Sequence, residues 1–103
     1  MITKITNNDL SEAKEKELAV LDFSAAWCGP CKMLAPVMED LAGRYEGRAL
    51  VGKVNVDDEP ELAGRFGVMS IPTVIFFKDG EEIDRKVGVM PADSFTAVLD
   101  ANL

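Results

Sequence analysis

The chain has 103 residues, 48% of them apolar, and its 18 acidic residues against 11 basic ones give a formal charge of −7 at pH 7. This length suits one domain rather than two, and the apolar content excludes a disordered chain. The acidic balance argues against nucleic acids and anionic membranes as partners, because both bind basic surfaces. We therefore expect a single domain over residues 1–103.

The first part of the chain is predicted to form a strand, a short helix and a second strand. The first strand spans residues 2–5, and Asn7 or Asn8 can cap a helix over residues 10–17. Residues 18–23 form an almost continuous apolar run, which is typical of a strand buried on both faces.

A long helix is predicted to start at the cysteine motif and to end near Tyr45. Apolar side chains recur along it at helical spacing, namely Cys31, Leu34, Ala35, Met38, Leu41 and Ala42. The rest of the chain is predicted to form strands over residues 49–56, 73–77 and 82–87, and helices over 60–66 and from Pro91 onward. Asp79-Gly80 is typical of the tight turn of a hairpin. This order predicts an α/β fold with a mixed sheet and helices on both faces.

Two cysteines, Cys28 and Cys31, lie where a buried strand meets a helix, with Gly29-Pro30 between them. The first N–H groups of a helix lack helical partners and favour a negative charge, so a thiolate is stabilised there. The spacing lets the second sulfur reach the first within one turn, and Pro30 makes the helix start rigid. This pattern predicts thiol–disulfide exchange, with Cys28 as the exposed, attacking thiol and Cys31 as the buried, resolving one.

Three alternative roles for the cysteine pair fit the sequence less well. A structural disulfide across so short a loop removes little conformational entropy from the unfolded chain. A zinc site needs four ligands, whereas the chain has two cysteines and no histidine. A metal site shared between two chains remains an open alternative. Two unrelated core cysteines would not explain Gly29-Pro30 or the junction of strand and helix.

Asp22 interrupts the apolar run of the second strand, shortly before Cys28. A buried carboxylate is unfavourable, its pKa is expected to rise, and such groups cluster at functional sites. We therefore predict that Asp22 lies beneath the helix start and relays the proton of Cys31. The alternative is an ordinary carboxylate at an exposed strand end.

Ile71-Pro72-Thr73 stands at the start of the strand over 73–77. One interpretation is that Pro72 is an ordinary residue at a strand start. The other is a cis peptide bond in a turn that faces the cysteines. The residues alone leave both open.

With these motifs in place, the chain resembles the thioredoxin family along its whole length. The resemblance rests on the segment from Asp22 to Lys32, with Trp27-Cys28-Gly29-Pro30-Cys31 at its centre, and on Pro36, Lys53-Val54-Asn55-Val56-Asp57, Ser70-Ile71-Pro72-Thr73, Phe77-Lys78-Asp79-Gly80 and Val87-Gly88. It implies a thioredoxin fold, in which a central mixed five-stranded sheet is flanked by four helices. It also implies a general protein-disulfide reductase that cycles between the Cys28/Cys31 dithiol and disulfide through a mixed disulfide.

The resemblance implies roles for further residues. Pro72 is expected to be cis and to pack against the two sulfurs, and Lys53 to lie near Asp22. An apolar surface for substrates is expected from Trp27, Gly29, Pro30, Ile71, Pro72, Gly88 and Val89. The implied partners are disulfide-containing proteins and a thioredoxin reductase. We expect a monomer with no bound cofactor or metal, whose redox-active group is the Cys28–Cys31 disulfide.

Three positions depart from the common family pattern. Ser24 stands where an aromatic residue is frequent, Ala26 where a charged one is frequent, and Met69-Ser70 where glycine is frequent. These changes bear on the choice of partners rather than on the chemistry. The N-terminus has no apolar signal-peptide core, and no apolar run approaches the roughly 20 residues of a membrane span, so we expect a cytoplasmic protein.

Three rival functions remain. An oxidase or isomerase matches less well, because oxidising relatives usually have a histidine between the cysteines. A binding module whose redox state is incidental stays open. So does a metal carrier that uses the cysteine pair in a dimer.

Overall fold

A computed structural model of the protein describes residues 2–103. Its elements, in chain order, are β1 (Thr3–Lys4), α1 (Ser11–Glu15), β2 (Leu18–Ser24), α2 (Gly29–Arg44), β3 (Leu50–Asn55), α3 (Pro60–Arg65), β4 (Thr73–Lys78), β5 (Glu81–Val87) and α4 (Ala92–Ala101). The predicted order of strands and helices is confirmed, and the predicted ends lie within a residue or two of the observed ones. Within residues 2–103, no helix combines the length and the apolar character needed to cross a membrane.

The five strands form one sheet in the order β1-β3-β2-β4-β5. β1, β3 and β2 run parallel to one another, whereas β4 is antiparallel to β2 and β5 is antiparallel to β4. Asp79 and Gly80 join the last two strands with φ angles of 51° and 85°, the left-handed conformation that a tight hairpin turn requires. The expected mixed sheet of five strands with four helices is therefore confirmed.

The central strand β2 is buried along its whole length. Because side chains alternate along a strand, Leu18 and Val20 face one side of the sheet and Ala19 and Leu21 face the other. The first side packs on α2 and α4, in a cluster that includes Leu34, Met38, Leu41, Phe76, Phe95 and Leu99. The second side packs on α1 and α3, in a cluster that includes Ala13, Phe23, Leu62, Ile75 and Phe77. Helices thus cover both faces of the sheet.

Four parts of the chain meet at the carboxyl end of β2. β3 is parallel to β2 and ends beside it, and β2 leads into the cysteines at the start of α2. β4 is antiparallel to β2, with Thr73 opposite Phe23, so the residues before β4 reach the same end. Val87 pairs with Thr73, so β5 ends there as well. The topology therefore collects the predicted site residues from distant parts of the sequence.

The prediction that Asn7 or Asn8 caps α1 is wrong. The N-cap of α1 is Leu10, which makes no side-chain cap hydrogen bond. Instead, the side-chain oxygen of Asn8 accepts a hydrogen bond from the backbone N–H of Leu62 at 3.2 Å, and the backbone N–H of Asn8 donates to Glu59 Oε1 at 2.8 Å. Both asparagines have left-handed φ angles, 56° and 50°, which turn the chain toward α3. Asn8 therefore caps α3, to which it is adjacent in space but not in sequence.

Candidate active site

The two cysteines form a disulfide at the start of α2, with their Cα atoms 5.2 Å apart. Cys28 is the N-cap of the helix, and its sulfur accepts a hydrogen bond from the backbone N–H of Cys31 at 3.2 Å. Pro30 lies in the first turn, where its missing N–H leaves no helical hydrogen bond unmade. The sulfur of Cys28 is thus directed at the positive end of a helix that is 16 residues long.

For the disulfide form, the expectation that Cys31 is buried is confirmed, and the expectation that Cys28 is exposed is wrong. Each cysteine is only 5% exposed. Ala25 packs beside them, and Val56 and Ile71 pack against the same small cluster. These residues come together because β2 and β3 end there and β4 begins there. Exposure therefore does not distinguish the two sulfurs, whereas their positions in the helix do.

The loop before β4 lies against the cysteines. The peptide bond between Ile71 and Pro72 is cis, which confirms the expectation from the family resemblance, and Pro72 is buried. The carbonyl oxygen of Ile71 is 3.9 Å from Cys28 Sγ. The carbonyl of Pro72 accepts a hydrogen bond from the N–H of Gly88 at 2.8 Å, so the segment after β5 is fastened to the same loop.

Asp22 is 3% exposed, on the face of β2 that α2 covers. Within residues 2–103, its Oδ1 atom has no hydrogen-bond partner. Burial raises the pKa of this carboxyl to about 6, and the charge of Lys53 on β3 opposes part of the rise. The alternative of an exposed carboxylate at a strand end is therefore wrong.

A cavity of about 80 Å³ lies beside Asp22. It is lined by Ile2, Asp22, Ala35, Met38, Glu39, Gly52 and Lys53. Ala35 follows Cys31 by one helical turn, so the cavity continues along the face of α2 on which Cys31 lies. Its volume is large enough for a water molecule that bridges polar groups. The Asp22 carboxyl thus borders a small, mostly apolar cavity, whose lining residue nearest to Cys31 in the sequence is Ala35, one turn further along α2.

The surface around the disulfide is largely apolar. Trp27 is 69% exposed, and its indole Nε1 donates a hydrogen bond to Asp57 Oδ2 at 2.7 Å. Gly29 and Pro30 are exposed at the first turn of α2, and Val89 is exposed beyond β5. The structure brings all of the residues that were predicted to bind substrate to this end of the molecule.

Comparison with known proteins agrees with this geometry. The thioredoxin family model matches residues 2–101. The chain belongs to the thioredoxin family. It is 49% identical over 102 residues to a thioredoxin from Staphylococcus epidermidis, covering 99% of this chain and 98% of that one, and 48% identical to a thioredoxin from Staphylococcus aureus over the same shares. A mutant thioredoxin from Halobacterium salinarum superimposes with a TM-score of 0.87 at 33% identity, covering 97% of this chain and 88% of that chain.

Membership of the thioredoxin family makes the chain a thiol–disulfide oxidoreductase, and the Cys28–Cys31 disulfide is its redox-active group. In the part of the chain that the structure describes, no three His, Cys, Asp or Glu side chains come together as metal ligands. The chemistry that family membership assigns to the Cys28–Cys31 pair is the exchange of disulfide bonds.

Two features of this thioredoxin-family site were missed in the sequence. Asp57 was recognised only as part of the family resemblance, although it orients the indole of Trp27; its place directly after a buried strand was the available signal. Met33 and Met69 are 69% and 96% exposed; Met33 was not assigned to the substrate surface, and Met69 was noted only as a departure that bears on the choice of partners. Exposure of an apolar side chain is not visible in a sequence, so only the structure distinguishes them from core methionines.

Proposed function

We propose that this member of the thioredoxin family is a general protein-disulfide reductase. The observation that supports this best is the redox-active pair at the N-terminus of α2, inside an apolar surface that carries the exposed indole of Trp27. An apolar surface favours contact with other proteins, and the helix terminus favours the thiolate that attacks their disulfides.

The first step in this proposal belongs to Cys28. In the reduced protein its thiolate attacks one sulfur of a substrate disulfide, the substrate S–S bond breaks, and a mixed disulfide forms while one substrate thiolate leaves. The N–H of Cys31, which points at the Cys28 sulfur, stabilises the attacking anion. The helix N-cap position is why we assign the attack to Cys28.

The second step belongs to Cys31, with Asp22 as its proton acceptor. Cys31 transfers its proton toward the buried carboxylate, and its thiolate attacks the Cys28 sulfur of the mixed disulfide. The second substrate thiolate leaves, and the Cys28–Cys31 disulfide is restored. The substrate has gained two electrons and the protein has lost two. Lys53, whose charge lowers the pKa of Asp22, keeps a fraction of this carboxyl ionised below neutral pH.

Substrate binding is assigned to the apolar residues around the disulfide. Trp27 and Val89 offer exposed apolar area, and Gly29, Pro30, Ile71, Pro72 and Gly88 complete the surface. The absence of a side chain at Gly29 and Gly88 leaves room for a substrate backbone to approach the sulfurs. Pro72 shapes the loop that faces Cys28.

The remaining assignments extend the family relationship. We propose that the protein works without a bound cofactor, that a thioredoxin reductase returns two electrons to its disulfide, and that disulfide-containing proteins are its substrates. We also propose a cytoplasmic monomer, with residues 1–103 forming one domain. The single sheet that links strands from residue 3 to residue 87 supports the last point.

The proposed function is tested by stoichiometry. The reduced protein, freed from excess reductant, is mixed with an oxidised protein substrate, and thiols on both proteins are counted after acid quenching. We expect two thiols to be lost by this protein for two gained by the substrate. The Cys28→Ser/Cys31→Ser variant is the control and should transfer none. If wild type transfers none, or if the double variant retains the biological phenotype of wild type, the chain acts as a binding module instead.

A further inference from the structure

Met69 is the most exposed of the large apolar side chains in residues 2–103, at 96%. It stands two residues before Ile71, whose carbonyl lies 3.9 Å from Cys28 Sγ. Two residues of chain span at most about 7 Å, so the Cα of Met69 lies within about 13 Å of Cys28 Sγ. Almost none of its side chain is buried against the rest of the protein.

Exposed apolar side chains are concentrated on this end of the molecule. Seven large ones are exposed in the described residues, and five of them lie in the segments that frame the disulfide: Trp27, Met33, Met69, Val87 and Val89. Met33 lies one turn of α2 beyond Gly29, on the same helix face. Single exposed apolar residues are ordinary, whereas a contiguous group marks a binding surface. The two methionines therefore extend the proposed substrate surface.

We propose that Met69 is a specificity-determining residue that contacts apolar side chains next to the attacked cysteine of the substrate. This inference rests on the proposed reductase function and names the substrate class: protein segments with aliphatic or aromatic residues beside the disulfide. We assign a substrate segment to this surface because Met69 belongs to the same loop as Ile71, whose carbonyl lies beside Cys28.

The chemistry of methionine suits this task. Its side chain is unbranched and its sulfur is polarizable, so it adapts to apolar partners of different shapes. The backbone beneath it is held, because the carbonyl of Ser70 accepts a hydrogen bond from the hydroxyl of Thr73 and Pro72 is fastened to Gly88. A mobile apolar side chain on a fixed loop favours apolar neighbours broadly and gives a polar neighbour no partner.

The test compares two short peptides, each a symmetrical disulfide dimer, with Leu-Cys-Leu or Gln-Cys-Gln at the cysteine. The reduced protein is mixed with each peptide, and the second-order rate of thiol transfer is measured. Wild type should prefer the leucine peptide. Met69→Gln, which keeps the length of the side chain and removes its apolar character, should reduce that preference about fivefold, the effect of returning roughly half a methionine side chain to water.

Two variants complete the design. Met69→Leu should keep the preference, because the contact requires an apolar surface rather than a particular shape. Ile83→Gln removes a 42% exposed apolar side chain from β5, outside the proposed surface, and should leave both rates unchanged.

The inference is overturned if Met69→Gln keeps the full preference, if Met69→Leu loses it, or if Ile83→Gln loses it equally. It is also overturned if wild type forms a dimer in sedimentation experiments that Met69→Gln abolishes, because the surface then serves self-association. In all of these cases wild type still reduces both peptides, and the reductase function stands. If wild type reduces neither peptide, the proposed function itself has failed.

Discussion

Asp22 and Lys53 are register partners on the parallel strands β2 and β3, yet only one of them is buried. The lysine is exposed, so its charge is screened by water and offsets only part of the effect of burial on the carboxyl. The pKa of Asp22 consequently rises to about 6. The carboxyl can therefore both accept and return a proton close to neutral pH.

Replacing Asp22 by asparagine should stabilise the oxidised protein in a pH-dependent manner. The pKa of Asp22 is about 6 in the folded protein, against 3.8 for a solvent-exposed carboxyl as in the unfolded chain. Folding therefore favours the neutral acid. The penalty is absent below pH 3.8, grows as the pH rises to 6, and is constant above. A rise of about two pKa units corresponds to about 3 kcal/mol. Denaturant unfolding of Asp22→Asn should show up to this gain at pH 8 and little change at pH 3.5. Equal effects at both pH values would contradict burial of the charge as the cause.

The same substitution should slow the second step of the reaction. Without a carboxylate to accept its proton, Cys31 attacks the mixed disulfide less often, and we expect a loss of about 10- to 100-fold. Rapid acid quenching during a single turnover measures this as accumulated mixed disulfide on Cys28. In wild type the rate should rise with pH through about 6, where Asp22 ionises, and Asp22→Asn should lack this inflection. An unchanged pH profile in the variant would mean that another group accepts the proton.

The two cysteines should behave differently when they are replaced singly. Cys31→Ser should form a stable mixed disulfide with substrate proteins, because the attack on Cys28 that resolves it is lost. Cys28→Ser should trap none, because the N-cap sulfur that makes the first attack is missing. Non-reducing electrophoresis and peptide mapping of the adducts measure both outcomes. Trapping by Cys28→Ser alone would reverse the assigned roles.

Gly52 and Gly43 should respond in opposite ways to alanine. A Cβ atom at Gly52 would lie 2.6 Å from Leu21 Cδ2, on a fully buried side chain, and 3.2 Å from the carbonyl oxygen of Thr3. We expect Gly52→Ala to destabilise the protein by about 1–3 kcal/mol. Gly43 in α2 has no atom within 4 Å of the same position, so Gly43→Ala should stabilise it by about 0.5–1 kcal/mol. Both are measured by denaturant unfolding, and a stabilising Gly52→Ala would show that β3 has room beside Leu21.

Much of the fold follows from local patterns in the sequence. The apolar run of β2 and the helical spacing along α2 each result from burial of a defined face, and burial is recorded in residue type. Asn8 shows the limit of this reasoning. It has the right chemistry for a helix cap, but the helix that it caps, α3, is far along the chain, and no local pattern identifies such a partner.

The candidate site likewise has features that the sequence predicted and features that it could not predict. The cysteines and Asp22 were found in the sequence because their chemistry conflicts with their surroundings, a polar group in an apolar strand being the clearest case. The equal burial of Cys28 and Cys31 depends on three strand ends that meet, and the exposure of Met69 depends on the course of a loop. Both are properties of tertiary packing.

In the proposed mechanism the sulfur of Cys28 is the reacting atom, and in the structure it also caps the N-terminus of α2, because it accepts the hydrogen bond of the Cys31 amide. Each turnover therefore exchanges the acceptor of one backbone proton, from a neutral disulfide sulfur to an anionic thiolate and back. Anionic acceptors form the stronger hydrogen bonds. The N–H of Cys31 therefore reports the redox state of the protein. Its proton resonance in an NMR spectrum should distinguish the reduced from the oxidised protein without an added label.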